Sequence, residues 1–395
     1  MSKSVTHISF SSAGGAGSVA STLVRAQRES GREARLAHVI DSDLRSAPLA
    51  TPLHTMAAGL DHYVIKARNF DAPISLARDH LQGNLRESIE RSDVLHLHGY
   101  NGALKLDDLK GLARGKRVVW TLHDMNPFAG ACHYSLGCGR YSDSCSSCPA
   151  VRPLFRPLVE KALREKTEAI AAIEDLKVVA PSLWLADAAR ASKVFAGNTI
   201  TVIPNPVTAI GPPASDDSAG PTEATHRAGF GATVIARNLS DPVKNVRGAL
   251  DAFRAFRATV PHVSLHLIGS GGAEFQEDGV TILGALSPNE VASELERSDA
   301  LIVPSLAENA PLVILEAAWA GCPALVNNVG GMPHMVKDLG DGAVFNNTRE
   351  LLEALHSLAG KTARDRQTAR ARLQAAARAL YSPQAVVAQY DELYD

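Results

Sequence analysis

Two glutamates, Glu308 and Glu316, flank an apolar run in the stretch LAENAPLVILEAAWAGCP. A strand-like run, ALIVPS, leads into this stretch, and the apolar run itself is typical of a helix packed onto a sheet. Pro311 suits the first helical turn, Asn309 the N-cap and Gly321 the helix end. Such a helix start offers N–H groups and partial positive charge to a phosphate, and nearby carboxylates can accept hydrogen bonds from sugar or ribose hydroxyls.

A pair of basic residues, Arg237 and Lys244, follows the strand-like run ATVIAR (232–237). Fixed cations at the end of a strand can stabilise the negative charge that builds on a departing nucleoside diphosphate. With this pair in place we expect no catalytic metal. A glycine loop after the first strand-like run permits close approach of the backbone to a ligand. Its glycines are Gly14, Gly15 and Gly17.

Two histidines stand at the ends of apolar runs. His98 ends DVLHLH (93–98), and His123 ends RVVWTLH (117–123) and precedes Asp124. Ligands bind at the carboxyl ends of parallel strands, so these side chains are candidates for a binding site. A lone histidine at a strand end is more often structural, and the position alone does not assign a role.

Four of the five cysteines are close together in the sequence, as C-x5-C-x6-C-x2-C. They are Cys132, Cys138, Cys145 and Cys148. Four thiolates suit a tetrahedral structural zinc, and C-x2-C is a common half-site. Two disulfides or four free thiols are the alternatives, and His133 is a further candidate ligand.

Short apolar runs alternate with helical patterns along the chain, which predicts parallel sheets covered by helices on both faces. In the first half the strand-like runs are 5–10, 34–40, 93–98, 117–123 and 177–182. In the second half they are 232–237, 263–269, 280–284, 300–305 and 323–328. Helical patterns include 246–258, 288–297 and a tail from about 349 to 381.

The segment between the two series, AIGPPASDDSAGPTEATHRAG (209–229), is rich in Pro, Gly, Ser and Asp, which indicates a linker. We therefore predict an α/β protein with two domains, 1–207 and 229–381, joined by a linker or mobile segment at 208–228. Each domain is expected to be a doubly wound, Rossmann-like unit, and the two are expected to face each other across a cleft.

The composition, 45% hydrophobic and 21% charged, is ordinary for a globular protein. The sequence has no run of about 18 apolar residues, and its first residues lack the apolar core of a signal peptide. We therefore expect a cytoplasmic protein. The net charge of −2 is uneven, because residues 1–205 carry 25 Lys and Arg against 20 Asp and Glu. This basic excess can favour an anionic surface or substrate, and no nucleic acid partner is expected.

Taken together, these segments resemble the retaining glycosyltransferases of family 4, which have the GT-B fold. ENAPLVILEAAWAGCP is similar to the E-x7-E signature of that family, HISFSSAGGAGSVAS to its glycine loop, and VVWTLHDMNPFAGACHY to the segment with its active-site histidine. VIARNLSDPVKNV resembles its donor-phosphate segment, and TVIPNPV resembles its interdomain approach. The cysteine-rich segment is similar to a subgroup known from exopolysaccharide synthesis of the colanic-acid type.

The resemblance implies a role for each candidate residue. Glu308 would bind sugar hydroxyls, Glu316 would bind the ribose, and the Arg237–Lys244 pair would hold the donor diphosphate. The residues implied in catalysis are His123, Arg237, Lys244 and Glu308. The residues implied in donor binding are Gly15, Gly17, Arg237, Lys244, Gly269, Glu308, Asn309, Ala310, Leu312 and Glu316. Those implied on the acceptor side are Gly14, His98 and Asp124.

The predicted function is retaining transfer of a hexosyl-type sugar from a nucleotide-diphosphate sugar to a glycan or lipid-linked acceptor, in cell-surface polysaccharide or glycoconjugate synthesis. The alternatives are a non-hydrolysing nucleotide-sugar epimerase of the same fold, which would form product from donor alone, and a non-catalytic sugar-nucleotide-binding subunit. A lipid-linked acceptor would suit peripheral contact of the basic first half with the inner membrane face. The last helix, 382–395, is similar to the final helix that crosses back onto the first domain in this fold.

Overall fold

The computed structural model describes residues 2–12, 14–40, 56, 59–76, 83–101, 104–208 and 229–395. The chain divides into two compact units. The first contains Met1–Pro206 together with Pro383–Asp395, and the second contains Val207–Ser382. The linker predicted at 208–228 lies, from residue 209 onward, outside the described residues.

Six parallel strands form the sheet of the first unit, in the order β2-β1-β3-β4-β5-β6. They are β1 (Val5–Ser11), β2 (Ala34–Ile40), β3 (Val94–Leu97), β4 (Arg117–Thr121), β5 (Leu176–Ala180) and β6 (Ile200–Val202). The α-helices of this unit are Gly14–Glu29, Gly83–Glu90, Leu106–Leu112, Arg156–Ala171, Leu183–Arg190 and Pro383–Tyr394. A π-helical segment spans Leu60–Ile65, and 3₁₀ turns span Arg140–Ser142 and Pro153–Phe155. The strand order reverses between β1 and β3, where a doubly wound sheet binds its ligand.

The second unit has its own six-stranded parallel sheet, in the order β12-β11-β10-β7-β8-β9. Its strands are β7 (Phe230–Asn238), β8 (Val263–Ser270), β9 (Val280–Gly284), β10 (Ala300–Val303), β11 (Ala324–Asn327) and β12 (Ala343–Phe345). Its α-helices are Val246–Arg257, Pro288–Arg297, Leu312–Ala320, Met332–Leu339, Thr348–Ala359 and Ala363–Tyr381, with 3₁₀ turns at Pro242–Lys244 and Ala273–Phe275. Here the strand order reverses between β7 and β10.

Helices cover both faces of the second sheet, so its strands are buried on both sides. Phe253 lies in the apolar cluster on one face, and Leu315 lies in a separate cluster with the helix Leu312–Ala320. Every residue of β10 is buried, which explains its unbroken apolar sequence. Among the helices of the described residues, none is both long and apolar enough to cross a membrane.

The prediction of two doubly wound, Rossmann-like domains is confirmed. All ten predicted strands are present, whereas β6 and β12 were not predicted because each has only three residues at a sheet edge. The predicted helical tail is two helices, Thr348–Ala359 and Ala363–Tyr381. The second begins separately because the hydroxyl of Thr362 caps its first turn.

The helix of the glutamate stretch, Leu312–Ala320, begins differently from the prediction. Pro311 occupies the N-cap position, and no side chain caps the helix, so the assignment of Asn309 as N-cap is wrong. Asn309 is instead buried in the preceding loop, where its carbonyl accepts a hydrogen bond from the Gly331 N–H at 3.1 Å. Gly321 ends the helix in the left-handed conformation, as predicted.

Candidate functional site

The donor-side candidates of the second unit lie at the carboxyl ends of β7 and β10, where the strand order reverses. Arg237 is the penultimate residue of β7, and its side chain is exposed. Its guanidinium makes no hydrogen bond or ion pair within the described residues. Glu308 lies in the loop after β10 and is only 8% exposed. The topology therefore brings a cation and a carboxylate, which are distant in sequence, to neighbouring strand ends.

Lys244 forms an ion pair with Glu308, in which its Nζ donates to Oε1. The lysine sits at the end of the 3₁₀ turn Pro242–Lys244. This turn is attached to the loop after β10, because the Leu306 N–H donates to the Val243 carbonyl at 2.8 Å. The turn and this hydrogen bond therefore place the lysine within reach of the glutamate.

Gly330 holds the Glu308 loop close to the segment after β11. Its φ is +62°, and a Cβ at this position would lie 1.5 Å from the Glu308 carbonyl oxygen. Asn327 adds a second tie, since its Nδ2 donates to the Ser305 carbonyl at 3.1 Å. Any side chain at position 330 would therefore displace the carboxylate loop.

Glu316 is half-buried in the second turn of the helix Leu312–Ala320. Burial raises the pKa of its carboxyl group. Within the described chain the carboxylate makes no hydrogen bond or ion pair. A half-buried carboxylate without a partner is costly, and ligand hydroxyls are groups that could satisfy it. The first helical N–H groups, from Leu312 onward, follow directly after Pro311 and the Asn309–Ala310 loop.

Two of the predicted glycines are required by close backbone packing. A Cβ at Gly17 would lie 2.3 Å from the Ser11 carbonyl oxygen, and one at Gly269 would lie 1.8 Å from the Ala236 carbonyl oxygen. At Gly14 and Gly15, which begin the first helix, a Cβ would meet no atom within 4 Å. Packing within the chain therefore explains Gly17 and Gly269, whereas Gly14 and Gly15 leave open space at a helix start.

Three neighbouring strands of the first unit, β1, β3 and β4, bring four histidines together. His7 of β1 and His96 of β3 are partners in the sheet register. His98 lies two residues after His96 and so faces the same side of the sheet. The ring centroids of His98 and His123 are 5.3 Å apart, and those of His96 and His98 are 4.1 Å apart. His98 and His123 were predicted as site residues, whereas His7 and His96 were not.

The three fully buried rings of this cluster, His7, His96 and His98, use every ring nitrogen in a hydrogen bond. The pairs are His7 Nδ1 with His98 Nε2 (2.9 Å), His7 Nε2 with Gln27 Oε1 (2.8 Å), His98 Nδ1 with His123 Nε2 (3.0 Å), His96 Nδ1 with Tyr394 Oη (2.7 Å) and His96 Nε2 with Thr121 Oγ1 (2.8 Å). These rings also form the one set of three metal-ligating groups, among the residues described, whose ligand atoms lie within 4.8 Å of one another. A metal would have to displace the existing hydrogen bonds.

Burial makes these histidines neutral at pH 7. It lowers the pKa of His7 and of His123 to about 4, and it holds the pKa values of His96 and His98 well below their usual range. The sequence itself carries a signal for this cluster. In a buried parallel strand, polar residues at alternate positions, such as His96 and His98, indicate a shared polar network on one face.

Asp124 is bonded to a histidine from the cysteine-rich segment. Its Oδ2 lies 2.7 Å from His133 Nδ1, and His133 Nε2 lies 2.9 Å from the Ser75 hydroxyl. Burial acts to raise the pKa of Asp124, but His133 and the Asn126 N–H outweigh it and hold the pKa below its usual value. Both nitrogens of His133, the further candidate zinc ligand, are thus engaged in hydrogen bonds that a metal would have to displace.

Lys166 braces the loop after His123, and sequence reasoning missed it. Its Nζ is buried and donates to the carbonyls of Asn126 and Ala129, each at 2.6 Å. Burial lowers its pKa to about 8. Its position in the sequence could have indicated this burial, because Lys166 lies on the same face of the helix Arg156–Ala171 as the buried Leu163 and Ile170.

The four clustered cysteines line one pocket, and no disulfide joins them in the described residues. Three are buried and Cys138 is half-exposed. Burial raises the pKa of Cys145 to about 11, while the Gly130 N–H donates to its sulfur. The sulfur of Cys148 likewise accepts hydrogen bonds from the N–H groups of Ala150 and Val151. All four cysteines are among the described residues. No three of their sulfur atoms lie within 4.8 Å of one another.

The fold and the family matches identify a glycosyltransferase with the GT-B fold. Residues 13–209 match the family described as Glycosyltransferase Family 4, and residues 232–361 match the family described as Glycosyl transferases group 1. Between them the two matches cover most of both units. They place this chain with the family 4 type of glycosyltransferase.

Curated relatives match over shorter segments. Glycogen synthase of Mycobacterium tuberculosis strain H37Rv is 33% identical over 106 residues, which is 24% of this chain and 25% of that protein. The UDP-Gal:α-D-GlcNAc-diphosphoundecaprenol α-1,3-galactosyltransferase of Escherichia coli is 43% identical over 69 residues, 17% of this chain and 18% of that one. The chain thus aligns with a quarter or less of the length of these relatives.

Solved structures match over nearly the whole chain. Anabaena HepE in complex with UDP-glucose superposes with a TM-score of 0.64 at 15% identity, covering 99% of this chain and 98% of that one. Sucrose-phosphate synthase from Thermosynechococcus elongatus superposes with a TM-score of 0.61 at 17% identity, with the same coverage. At these identities the likeness concerns the fold.

Proposed function

We propose that this protein transfers a hexosyl-type sugar from a nucleotide-diphosphate sugar, with retention of anomeric configuration, to a glycan or lipid-linked acceptor. The observation that carries the proposal is in the second unit. A part-buried Lys244–Glu308 ion pair lies just before one helix at the strand-order reversal, and the unpartnered Glu316 lies in the second turn of that helix. A cation and helix N–H groups can bind the diphosphate of a nucleotide sugar, and carboxylates can accept hydrogen bonds from its hydroxyls.

Each residue of the second-unit set has a distinct task in this proposal. Arg237 and Lys244 neutralise the charge that grows on the departing diphosphate, so that no catalytic metal is required. Glu308 accepts hydrogen bonds from the sugar hydroxyls, and Glu316 accepts them from the ribose. Glu308 also keeps Lys244 oriented before the donor arrives, because the two side chains are already paired. Such preorganisation reduces the rearrangement needed when charge develops.

The acceptor side of the proposal lies in the first unit, on His123, His98, Asp124 and the open helix start at Gly14. The Escherichia coli relative is a galactosyltransferase whose name specifies a diphosphoundecaprenol-linked acceptor. We extend this to a lipid-linked acceptor in cell-surface glycan synthesis, with peripheral contact between the basic first half and an anionic membrane. Salt-sensitive binding to vesicles of anionic lipid is the expected result, and equal binding to neutral vesicles counts against the contact.

The transfer proposal is tested with purified protein and defined nucleotide sugars. UDP-glucose is the first probe, because it is the ligand of the Anabaena protein of similar fold, and UDP-galactose is the second. We expect nucleoside diphosphate release that accelerates when a polyprenyl-diphosphate sugar is added, and an α-linked product from an α-donor by NMR. An epimerised sugar from donor alone would identify an epimerase instead. Donor binding with no release of diphosphate would identify a binding subunit.

We further propose that the four clustered cysteines hold one structural zinc. The N–H groups that donate to the sulfurs of Cys145 and Cys148 stabilise thiolates, which is the protonation state that zinc requires. Elemental analysis of purified protein should give one equivalent of zinc, and Cys145→Ser should lose it, whereas Cys322→Ser, the buried fifth cysteine, should retain it. Four titratable thiols without zinc, or two disulfides, would disprove the site.

A further inference from the structure

A chain of hydrogen bonds runs from the interior of the first unit to His123. His123 Nε2 lies 3.0 Å from His98 Nδ1, His98 Nε2 lies 2.9 Å from His7 Nδ1, and His7 Nε2 lies 2.8 Å from Gln27 Oε1. Gln27 and His7 are fully buried, and His98 is 3% exposed. His123 is half-buried. This row of hydrogen-bonded side chains, Gln27, His7, His98 and His123, therefore connects a buried amide to the histidine that is partly exposed.

The donor and acceptor chemistry of these groups gives this series of hydrogen bonds a single donor-to-acceptor direction. A neutral imidazole donates from one nitrogen and accepts at the other, and an amide oxygen only accepts. Because His7 Nε2 meets the Gln27 oxygen, His7 carries its proton on Nε2 and accepts at Nδ1. His98 must then donate from Nε2, and it accepts at Nδ1. His123 consequently donates from Nε2, which makes its Nδ1 a hydrogen-bond acceptor.

The amide of Gln27 contacts the last helix of the chain. Gln27 Nε2 donates to the Tyr394 hydroxyl at 3.0 Å, and that hydroxyl also shares a hydrogen bond with His96 Nδ1 at 2.7 Å. His96 Nε2 is in turn hydrogen-bonded to Thr121 Oγ1 at 2.8 Å. If the amide turned by half a rotation, its NH₂ group would face His7, and every imidazole in the row would have to exchange its protonated nitrogen. His123 would then present a donor at Nδ1 in place of an acceptor.

We propose that Gln27 is a positioning residue that fixes His123 in the Nε2–H tautomer, and that Tyr394 in turn fixes the Gln27 amide. His123 Nδ1 is thereby kept as an acceptor for a hydroxyl group of the bound sugar or acceptor. That use in transfer rests on the proposed function, whereas the tautomer does not. The low pKa values of the buried rings are consistent with the proposal, because they keep all members of the row neutral and so preserve its direction.

The tautomer is measured by long-range ¹H–¹⁵N correlation spectra of protein labelled at its histidine rings, with His123 assigned from the signals lost in His123→Asn. We expect His123 of the unaltered protein to be in the Nε2–H form. In Gln27→Met, which removes the amide at similar volume, we expect both tautomers at comparable levels. Gln27→Glu keeps an acceptor for His7, so it should restore the Nε2–H form. Tyr394→Phe leaves the amide without its orienting hydroxyl and should also give a mixture.

Gln389→Met is the matched control, because Gln389 lies in the same last helix as Tyr394 and its amide donates to the Ala385 carbonyl instead. It should leave the spectrum unchanged. A His123 that stays in the Nε2–H form in both folded Gln27→Met and folded Tyr394→Phe overturns the proposal. If the unaltered protein transfers sugar, Gln27→Met should also lower kcat roughly ten- to hundredfold with little change in donor affinity. Without any transfer activity the proposed function fails, and the tautomer measurement still stands.

Discussion

Replacing Lys244 by alanine is expected to lower kcat for sugar transfer roughly 100- to 1,000-fold. The lysine is the cation that lies closest to Glu308 at the helix start, and it would stabilise the charge on the departing diphosphate. Loss of one preorganised group of this kind typically costs a factor of that size. Steady-state kinetics with UDP-glucose, combined with thermal melting to confirm the fold, measure the effect. Glu308→Ala should lose activity to a similar extent, because sugar hydroxyls and Lys244 both lose their partner.

The matched control is Lys337→Ala, since Lys337 is an exposed lysine of the same unit that makes no ion pair within the described residues. Its activity should equal that of the unaltered protein. Glu308→Gln separates the charge from the shape of the carboxylate, and it should bind donor more weakly and turn it over slowly. If purified Lys244→Ala or Glu308→Ala transfers sugar at the normal rate, that residue is not part of the site.

The first unit should lose stability steeply as the pH falls below about 6.5. In the folded protein burial lowers the pKa of His7 to about 4 and holds those of His96 and His98 well below their usual range. In the unfolded chain these rings titrate at about 6.5. The unfolded state therefore binds more protons between these values, so the histidine contribution is fully present above pH 6.5 and is lost on acidification. Each ring contributes a slope of about 1.4 kcal/mol per pH unit.

Among the described residues no neighbouring charge offsets this acid sensitivity, because the non-histidine partners of His7, His96 and His98 are neutral. They are Gln27, Thr121 and Tyr394. Calorimetry from pH 7.5 to 4.5 should show the melting transition of the first unit moving to lower temperature. His7→Asn should reduce the pH slope by about one proton, whereas His334→Asn, at an exposed position in the second unit, should not change it. Equal slopes in the His7 variant and the unaltered protein would contradict the assignment.

Much of the fold followed from hydrophobic patterning. Parallel strands buried on both faces require unbroken apolar runs, and those runs located ten of the twelve strands without reference to any distant residue. β6 and β12 carry only three residues each, which is too short for a pattern. The start of the glutamate helix was misplaced for a different reason. Asn309 has the chemistry of an N-cap, but packing against Gly331 holds it in the loop, and tertiary contacts prevailed over local preference.

The sequence by itself determined which side chains stand at strand ends, because strand ends follow from local pattern, and it offered Arg237, Lys244, Glu308 and His123 as candidates on that basis. Only the tertiary structure decided which of them meet. The Lys244–Glu308 pair depends on the strand order that sets β7 beside β10, which no local pattern encodes. The histidine row likewise depends on the register of β1 with β3 and on a helix from the far end of the chain. The topology of the fold brings together hydrogen-bond partners that are hundreds of residues apart, and the local sequence does not encode these pairings.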